Sequence, residues 1–199
     1  MKIEFKSVNI EHLEMLREWR NSPRIAQNMY SQEYITESQQ RSWFDGLSTN
    51  TTCSYFVCYV NEQPTGCLSF TDITDSTCSW GCYVGEPDVW VGTGIAIEAA
   101  ALDYAFNHLK LQKLVAEVVS ANKPPQRLHK MFGYDFIVEE SVSRSGSDFM
   151  VKIYEYTHEN WLIQRNKVLG KLPPVISNAI QTISFLDKND NAIYNYNHD

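Results

Sequence analysis

The chain has 199 residues, of which 43% are hydrophobic and 21% are charged, and these values predict one globular domain rather than a series of modules. Its net charge of -7 disfavours a nucleic-acid partner, because the phosphate backbone would be repelled by the overall field of the protein. No apolar run approaches the roughly 20 residues of a membrane-spanning helix, and the N-terminus lacks an apolar signal-peptide core. We therefore expect a cytoplasmic protein without a membrane partner.

The predicted elements begin with a short strand near residues 2–8. Two helices follow: the first ends at Asn21, before Ser22-Pro23, and the second begins at the capping box Thr36-x-x-Gln39. Three strand-like segments come next, separated by turn residues, and predict an antiparallel meander. They lie at residues 55–60, 66–71 and 77–84.

The second half of the chain continues with alternating helices and strands, which predicts a mixed α/β fold. An Ala-rich helix over residues 92–108 and a strand at 113–119 precede a short helix that ends at Gly133. Further elements are strands at 134–139 and 148–156 and a helix at 158–168. We expect one domain over residues 1–168, and a peripheral or partly disordered extension over residues 169–199, where periodicity is weak.

The five cysteines form no C-x-x-C pair, and their odd number cannot close into a complete set of disulfides. Most of them lie among aromatic and β-branched neighbours, where a thiol serves as a small apolar side chain. The pattern predicts free thiols in a reducing compartment and no metal site. These residues are Cys53, Cys58, Cys67, Cys78 and Cys82.

Residues 81–96 carry the strongest sign of a binding site. A strand is interrupted by Gly85-Glu86-Pro87, and Gly92-Thr93-Gly94 then opens a helix. Backbone N–H groups at a helix N-terminus bind anions, and glycine allows a phosphate to come close. The alternative is a flexible entry into a packing helix. A Walker loop is excluded because no G-x-x-x-x-G-K-[ST] run occurs, and a Rossmann fingerprint because Ile97 occupies the third small-residue position.

The order of elements, residues 91–96, Asn122 and residues 128–134 together resemble the GNAT superfamily of acyl-CoA-dependent N-acetyltransferases, over residues 1 to 156. The resemblance implies an α/β (α+β) fold whose mixed, mostly antiparallel sheet is splayed at its central strands. It implies acetyl-CoA as co-substrate and no metal. Direct transfer without an acyl-enzyme is expected because no Cys or Ser sits beside a recognisable His base. By position, the implied acetyl-CoA contacts are Cys82, Tyr83, Val84, Val89, Val91, Gly92, Thr93, Gly94, Ile95, Ala96 and Asn122.

Two positions depart from the usual family pattern. Val89 stands where the family usually has Arg or Gln, and His129 stands where many members have a tyrosine that protonates the departing thiolate. An imidazole can donate a proton near neutral pH, so His129 is the candidate general acid, and its alternative role is that of a half-buried polar residue. Asp72 is the candidate base, or else an ordinary turn residue, and Glu86 is a weaker candidate.

The segments at residues 16–25, 29–31, 40–44, 69–73 and 80–81 form a narrow combination. Together they are similar to the aminosugar N-acetyltransferases of the pseudaminic acid pathway, which acetylate the 4-amino group of a UDP-linked 4-amino-4,6-dideoxy sugar used to decorate flagellin. Guanidinium and aromatic groups suit a diphosphate and a uracil ring, so in this acidic chain the local charge of Arg20, Arg24 and Arg41 is expected to hold the diphosphate. In the alternative, Trp19 and Phe44 are core residues. By position, the implied acceptor contacts are Arg20, Asn21, Met29, Tyr30, Arg41, Trp43, Phe44 and Trp80.

Two other functions stay open at this stage. Acetyltransferases that act on peptide or ribosomal-protein N-termini share similar Arg-Asn segments, so a protein N-terminus is the second candidate acceptor. A non-catalytic acyl-CoA-binding module is the third candidate, because Val89 replaces the usual Arg or Gln and the usual tyrosine is missing. The expected partner is a small-molecule nucleotide-sugar, and a homodimer is compatible with the family.

Overall fold

The computed structural model describes residues 1–144 and 146–196. The described residues form nine strands: β1 (Ile3–Ser7), β2 (Ser54–Val60), β3 (Gln63–Thr71), β4 (Thr77–Val84), β5 (Lys113–Val119), β6 (Asp135–Arg144), β7 (Ser147–Thr157), β8 (Ser184–Leu186) and β9 (Ala192–Asn195). The α-helices are α1 (Leu13–Asn21), α2 (Pro23–Ala26), α3 (Glu37–Leu47), α4 (Thr93–Asp103), α5 (Lys123–Phe132), α6 (His158–Leu169) and α7 (Pro174–Ile180). A π-helical turn, Tyr104–His108, extends α4.

Local sequence signals explain where several helices begin and end. The hydroxyl of Thr36 accepts a hydrogen bond from the Gln39 amide, and the Gln39 side chain accepts one from the Thr36 amide, so the predicted capping box starts α3. α1 ends at Asn21, as predicted. Gly133 ends α5 at φ +88°, a conformation that favours glycine.

One mixed sheet runs through the molecule in the order β6-β7-β5-β4-β3-β2-β1-β8-β9. The meander β2-β3-β4 is antiparallel, as predicted. β4 and β5 are parallel, and they pair only over Thr77–Ser79 and Lys113–Val115. Beyond these residues both strands continue without pairing to each other, which confirms the predicted splay at the centre of the sheet.

Two apolar clusters cover the two faces of the sheet. On one face α4 is buried on all sides, because both the sheet and α7 pack against it. The other face packs against α1 and α3 through a smaller cluster that includes Leu16, Trp19 and Val57. This arrangement leaves the open end of the β4–β5 split between the two layers of helices.

The C-terminal segment contributes ordered elements to the sheet, in contrast to the peripheral or partly disordered extension expected from its weak periodicity. β8 pairs in parallel with β1, and the ring of Phe185 stacks on that of Phe5 with centroids 4.8 Å apart. A three-residue strand is too short to show a recognisable periodicity in the sequence. Its pairing partner, β1, is also at the opposite end of the chain, so no local pattern indicates the pairing. Residues 197–199 of the expected extension lie outside the described residues.

Three further properties follow from the described part of the chain. All five cysteines are free thiols. Over residues 1–144 and 146–196, each helix is too short or too polar to cross a bilayer, and no cluster of three or more His, Cys, Asp or Glu side chains has the arrangement of a metal site.

Candidate active site

The split between β4 and β5 opens into a cleft of about 1120 Å³. Both strands and the N-terminal parts of α4 and α5 line one side of the cleft, and α1 with the segment that follows it lines the other. Pockets for a single small ligand usually measure about 300–1,000 Å³, so this cleft has room for two reactants.

The edge of β4 supplies main-chain groups to the cleft. β4 pairs with β3 as far as Val84, but its other edge loses β5 after Ser79. Residues 80–84 therefore present a strand edge without a strand partner, and such an edge binds extended chains through their amide groups. The amide-containing pantetheine arm of a coenzyme fits an edge of this kind.

The N-terminus of α4 lies beside that edge. Gly92 is the N-cap residue and supplies no side-chain hydrogen bond, so the first amides of the helix have no side-chain cap and suit an anion. A Cβ atom at Gly92 would lie 2.2 Å from the ring of Trp90, so this glycine is required by packing. At Gly94 a Cβ atom would meet only Leu128, at an ordinary 3.5 Å.

The structure brings some of the predicted acetyl-CoA contacts to the cleft and leaves others away from it. The side chains of Thr93 and Ala96 are buried in the core, so only their main chain could contact a ligand. Val91 is 88% exposed outside the cleft, and Val89, Gly92 and Ile95 do not line the cleft either. The predicted contacts that do line it are Cys82, Tyr83, Val84, Gly94 and Asn122.

His129 lines the cleft together with Glu98, a residue that the sequence analysis missed. The Nδ1 atom of His129 lies 2.9 Å from the Oε1 atom of Glu98, and their side chains are only 3% and 2% exposed. The rings of Trp80 and Tyr134 enclose the imidazole, with centroids 5.8 and 4.3 Å from its own. The available signal was a carboxylate in the middle of the apolar run of α4, which has one other acidic residue, Asp103, at its end.

The predicted base, Asp72, lies away from the cleft. It is exposed, with φ +52°, in the turn that joins β3 to β4 at the closed end of the split. Glu86 accepts a hydrogen bond from Trp19 Nε1 at 2.8 Å and does not line the cleft. Glu117, on the free part of β5, lines the cleft and accepts a hydrogen bond of 2.7 Å from the hydroxyl of Tyr30. Burial, and then this bond, raise the pKa of Tyr30.

The three arginines expected to form one anion site have different environments. Arg24 donates to the carbonyl oxygens of Val84 and Gly85 and so anchors the end of β4. Arg41 is exposed and pairs with Asp45 at 3.3 Å, outside the cleft. Arg20 lines the cleft, and among the described residues its Nη1 atom is buried without a hydrogen-bond partner. A guanidinium on the wall of a cleft suits an anionic ligand.

The remaining predicted acceptor residues divide in a similar way. Met29, Tyr30, Trp43 and Trp80 line the cleft. Asn21 instead binds both main-chain groups of Ile35, with hydrogen bonds of 2.9 and 2.8 Å, and thereby holds a segment that lines the cleft. The ring of Phe44 packs in the smaller apolar cluster, and the Lys188 Nζ atom lies 5.6 Å from its centroid.

Comparison with known proteins gives one family match and several relatives. The family described as "Acetyltransferase (GNAT) domain" matches residues 2–135. The acetyltransferase PseH of Campylobacter jejuni is 29% identical over 126 residues, which cover 63% of this chain and 78% of the relative.

Solved structures show the same fold. The crystal structure of Vibrio cholerae spermidine N-acetyltransferase in complex with CoA and spermine superposes with a TM-score of 0.74 at 15% identity, covering 81% of this chain and 98% of that one. The structure of Campylobacter jejuni PseH with acetyl coenzyme A superposes with a TM-score of 0.60 at 22% identity, covering 78% of this chain and 98% of that one.

Proposed function

The chain belongs to the GNAT acetyltransferase family and is an acetyl-CoA-dependent N-acetyltransferase, and from this premise we propose that its acceptor is the 4-amino group of a UDP-linked aminodideoxy sugar. The observation that carries the acceptor is Arg20, which lines the cleft from α1 and whose Nη1 atom has no hydrogen-bond partner within the described residues. A diphosphate is a suitable ligand for that nitrogen. The aromatic rings of Trp43 and Tyr30 offer surfaces for sugar and uracil, and the identity with PseH adds support.

The donor and the acceptor occupy opposite sides of the cleft in this proposal. The free edge of β4 at residues 80–84 holds the pantetheine amides and polarises the thioester carbonyl. The first amides of α4, around Gly94, hold the pyrophosphate, and Asn122 contributes from the start of α5. Both reactants are thereby bound at the same time, which permits direct transfer.

Two side chains manage the protons of the transfer. Glu117 is the cleft carboxylate that faces the acceptor side, and it takes a proton from the amine as the new C–N bond forms. The C–S bond breaks, and the Nε2 atom of His129 gives its proton to the sulfur of the leaving thiolate. A positioned acid or base of this kind contributes about 10²–10⁴ in rate.

The acceptor class is tested by release of free CoA thiol from acetyl-CoA with a panel of amines. We expect release with a 4-amino UDP-sugar, and not with N-terminal peptides or with spermidine. Equal release with peptides would reject the sugar. Binding of acetyl-CoA without turnover across the whole panel would favour the non-catalytic module.

Arginine variants sharpen the assignment. Arg20→Ala removes a charged hydrogen-bond donor worth about 1.5–3 kcal/mol, so the KM for the UDP-sugar should rise about 10- to 100-fold. Acetyl-CoA affinity should fall much less, since the proposed donor contacts are main-chain groups of β4 and α4 and do not include the Arg20 guanidinium. Arg41→Ala is the matched control, because its guanidinium pairs with Asp45 outside the cleft. Equal effects of the two substitutions would contradict the role of Arg20.

A further inference from the structure

We propose that Glu98 is a positioning residue for His129, and that the two side chains form a buried imidazolium–carboxylate pair that supplies the proton to the leaving thiolate. This inference rests on the proposed function, because it concerns the proton donor of the same transfer. It goes further by assigning a role to the buried carboxylate of α4.

The geometry of the pair defines the state of the imidazole. In the pair that we propose, the ionised carboxylate of Glu98 accepts the hydrogen bond and the Nδ1 atom of His129, 2.9 Å away, donates it. The aromatic rings around the imidazole prevent it from turning: centroids of Trp80, Tyr134 and Tyr154 lie 5.8, 4.3 and 5.0 Å from it. The Nε2 atom is the ring nitrogen that remains for a reactant in the cleft.

Burial makes the pairing compulsory. An ionised carboxylate without a partner would cost several kcal/mol at a site that is 2% exposed. In the proposed pair a proton on both imidazole nitrogens gives zero net charge, so the buried carboxylate has a compensating partner. The same arrangement, a buried carboxylate behind an imidazole, holds the ring and stabilises the imidazolium in hydrolase triads.

The other titratable groups around the pair are neutral acids near pH 7. The thiol of Cys82 lies near Glu98 from β4, the rings of Tyr134 and Tyr154 contact the imidazole, and Tyr156 lies nearby with its hydroxyl bonded to the Phe132 carbonyl. Burial, and then the charge of Glu98, raise the pKa of Tyr134 and of Tyr156. These phenols are therefore poor proton donors to a thiolate at neutral pH, and the imidazolium is the better one.

The proton balance of the step is simple. The Nε2–H bond of His129 breaks and an S–H bond forms on CoA, while the imidazole becomes neutral and keeps its Nδ1–H bond to Glu98. The amine proton that Glu117 accepted passes to solvent, and a proton from solvent recharges His129. Glu98 itself stays ionised throughout.

Glu98→Gln tests the inference, since glutamine keeps an oxygen acceptor and the size of the side chain but removes the charge. We expect kcat to fall about 10-fold or more, and the alkaline limb of the kcat–pH profile to move down by about one pH unit, because the neutral amide no longer favours the imidazolium. His129→Ala should lower kcat about 100-fold. Glu98→Gln should cost nothing further in the His129→Ala background, because it acts through His129.

A purely structural role for Glu98 predicts different results. The losses in the two single variants would then multiply in the double variant, and the pH profile of Glu98→Gln would keep its position. Either result would overturn the inference. Acetyl-CoA binding by calorimetry verifies that each variant is folded.

An NMR measurement tests the pair without depending on enzyme activity. In wild-type protein with ¹⁵N-labelled histidine, His129 should keep imidazolium shifts to higher pH than in Glu98→Gln, with His129→Gln used for assignment. Identical titrations in both proteins would reject the pair. Failure of the proposed function is distinct, because it appears as a wild-type protein that acetylates another amine, or none, while these NMR shifts still report on the pair.

Discussion

Gly85→Ala is the substitution that tests most directly how the end of β4 is held. A Cβ atom at this position would lie 2.1 Å from Cδ2 and 2.4 Å from Cε2 of Trp19. Carbon atoms pack at about 3.5–4.0 Å, so the indole would have to move by more than 1 Å. Trp19 is only 6% exposed, and its Nε1 atom donates to Glu86 at 2.8 Å, which opposes that movement.

The expected cost has two parts. Overpacking of a well-packed site costs about 1–3 kcal/mol. Loss of the hydrogen bond between Trp19 and Glu86 adds about 1 kcal/mol. A total near 3 kcal/mol corresponds to a fall in Tm of about 6–12 °C for a domain of this size. Because Gly85 follows the free edge of β4 directly, acetyl-CoA affinity should fall as well.

Gly46→Ala is the matched control. It makes the same chemical change near the end of α3, where a Cβ atom would have no neighbour within 4 Å. Alanine is the better helix former by up to about 1 kcal/mol, so this variant should be as stable as wild type or more so. Calorimetric melting of the three proteins decides the matter. A Gly85→Ala protein that melts within 1 °C of wild type would refute the packing argument.

Three further predictions concern stability and the acceptor segment. Burial raises the pKa of the Cys58 and Cys67 thiols to about 12 from 9.0, so the unfolded chain loses these protons first and stability falls as pH rises above 9. In urea unfolding, the free energy of unfolding should fall by about 1.4 kcal/mol per thiol at pH 10. In Cys58→Ala this fall should be smaller by the contribution of one thiol, and a pH dependence equal to that of the wild type would contradict the assignment. Gly133→Ala should cost about 1–2 kcal/mol in urea unfolding, because φ is +88° there, and an unchanged midpoint would reject the strain. Asn21→Ala removes both hydrogen bonds to Ile35 and should raise the acceptor KM while leaving acetyl-CoA binding intact in calorimetry; a selective loss of donor binding would contradict this role.

Short-range patterns in the sequence predicted the parts of the site that depend on the backbone. Gly85-Glu86-Pro87 interrupts one strand, and Gly92-Thr93-Gly94 opens a helix, so a broken strand edge beside a helix N-terminus could be expected. The split itself was implied by the family resemblance, and the structure confirms it, since β4 and β5 pair only over Thr77–Ser79 and Lys113–Val115. The predicted alternation of helices and strands through residue 168 was confirmed for the same reason.

Side-chain partnerships were the part that local patterns could not predict. Arg20, Arg24 and Arg41 look equivalent in the sequence, yet only the first has a buried nitrogen without a partner within the described residues. Asp72 is adjacent to the meander in sequence, but the turn carries it to the closed end of the split. The sequence shows where Asp72 lies relative to β3 and β4. It does not show which end of these strands is the open end of the split, because that depends on how β5 pairs with β4.

The amino-acid sequence by itself determined the order of elements, the interruption of β4 and the glycine-rich start of α4, because these depend on the conformational preferences of a few adjacent residues. Tertiary packing alone decided that Glu98 meets His129, 31 residues away, and that Tyr30 meets Glu117, 87 residues away. It also decided that β8 extends the sheet beside β1. No local pattern in the sequence specifies which distant side chain lies opposite another, so these contacts are decided only by how the helices and the sheet pack together.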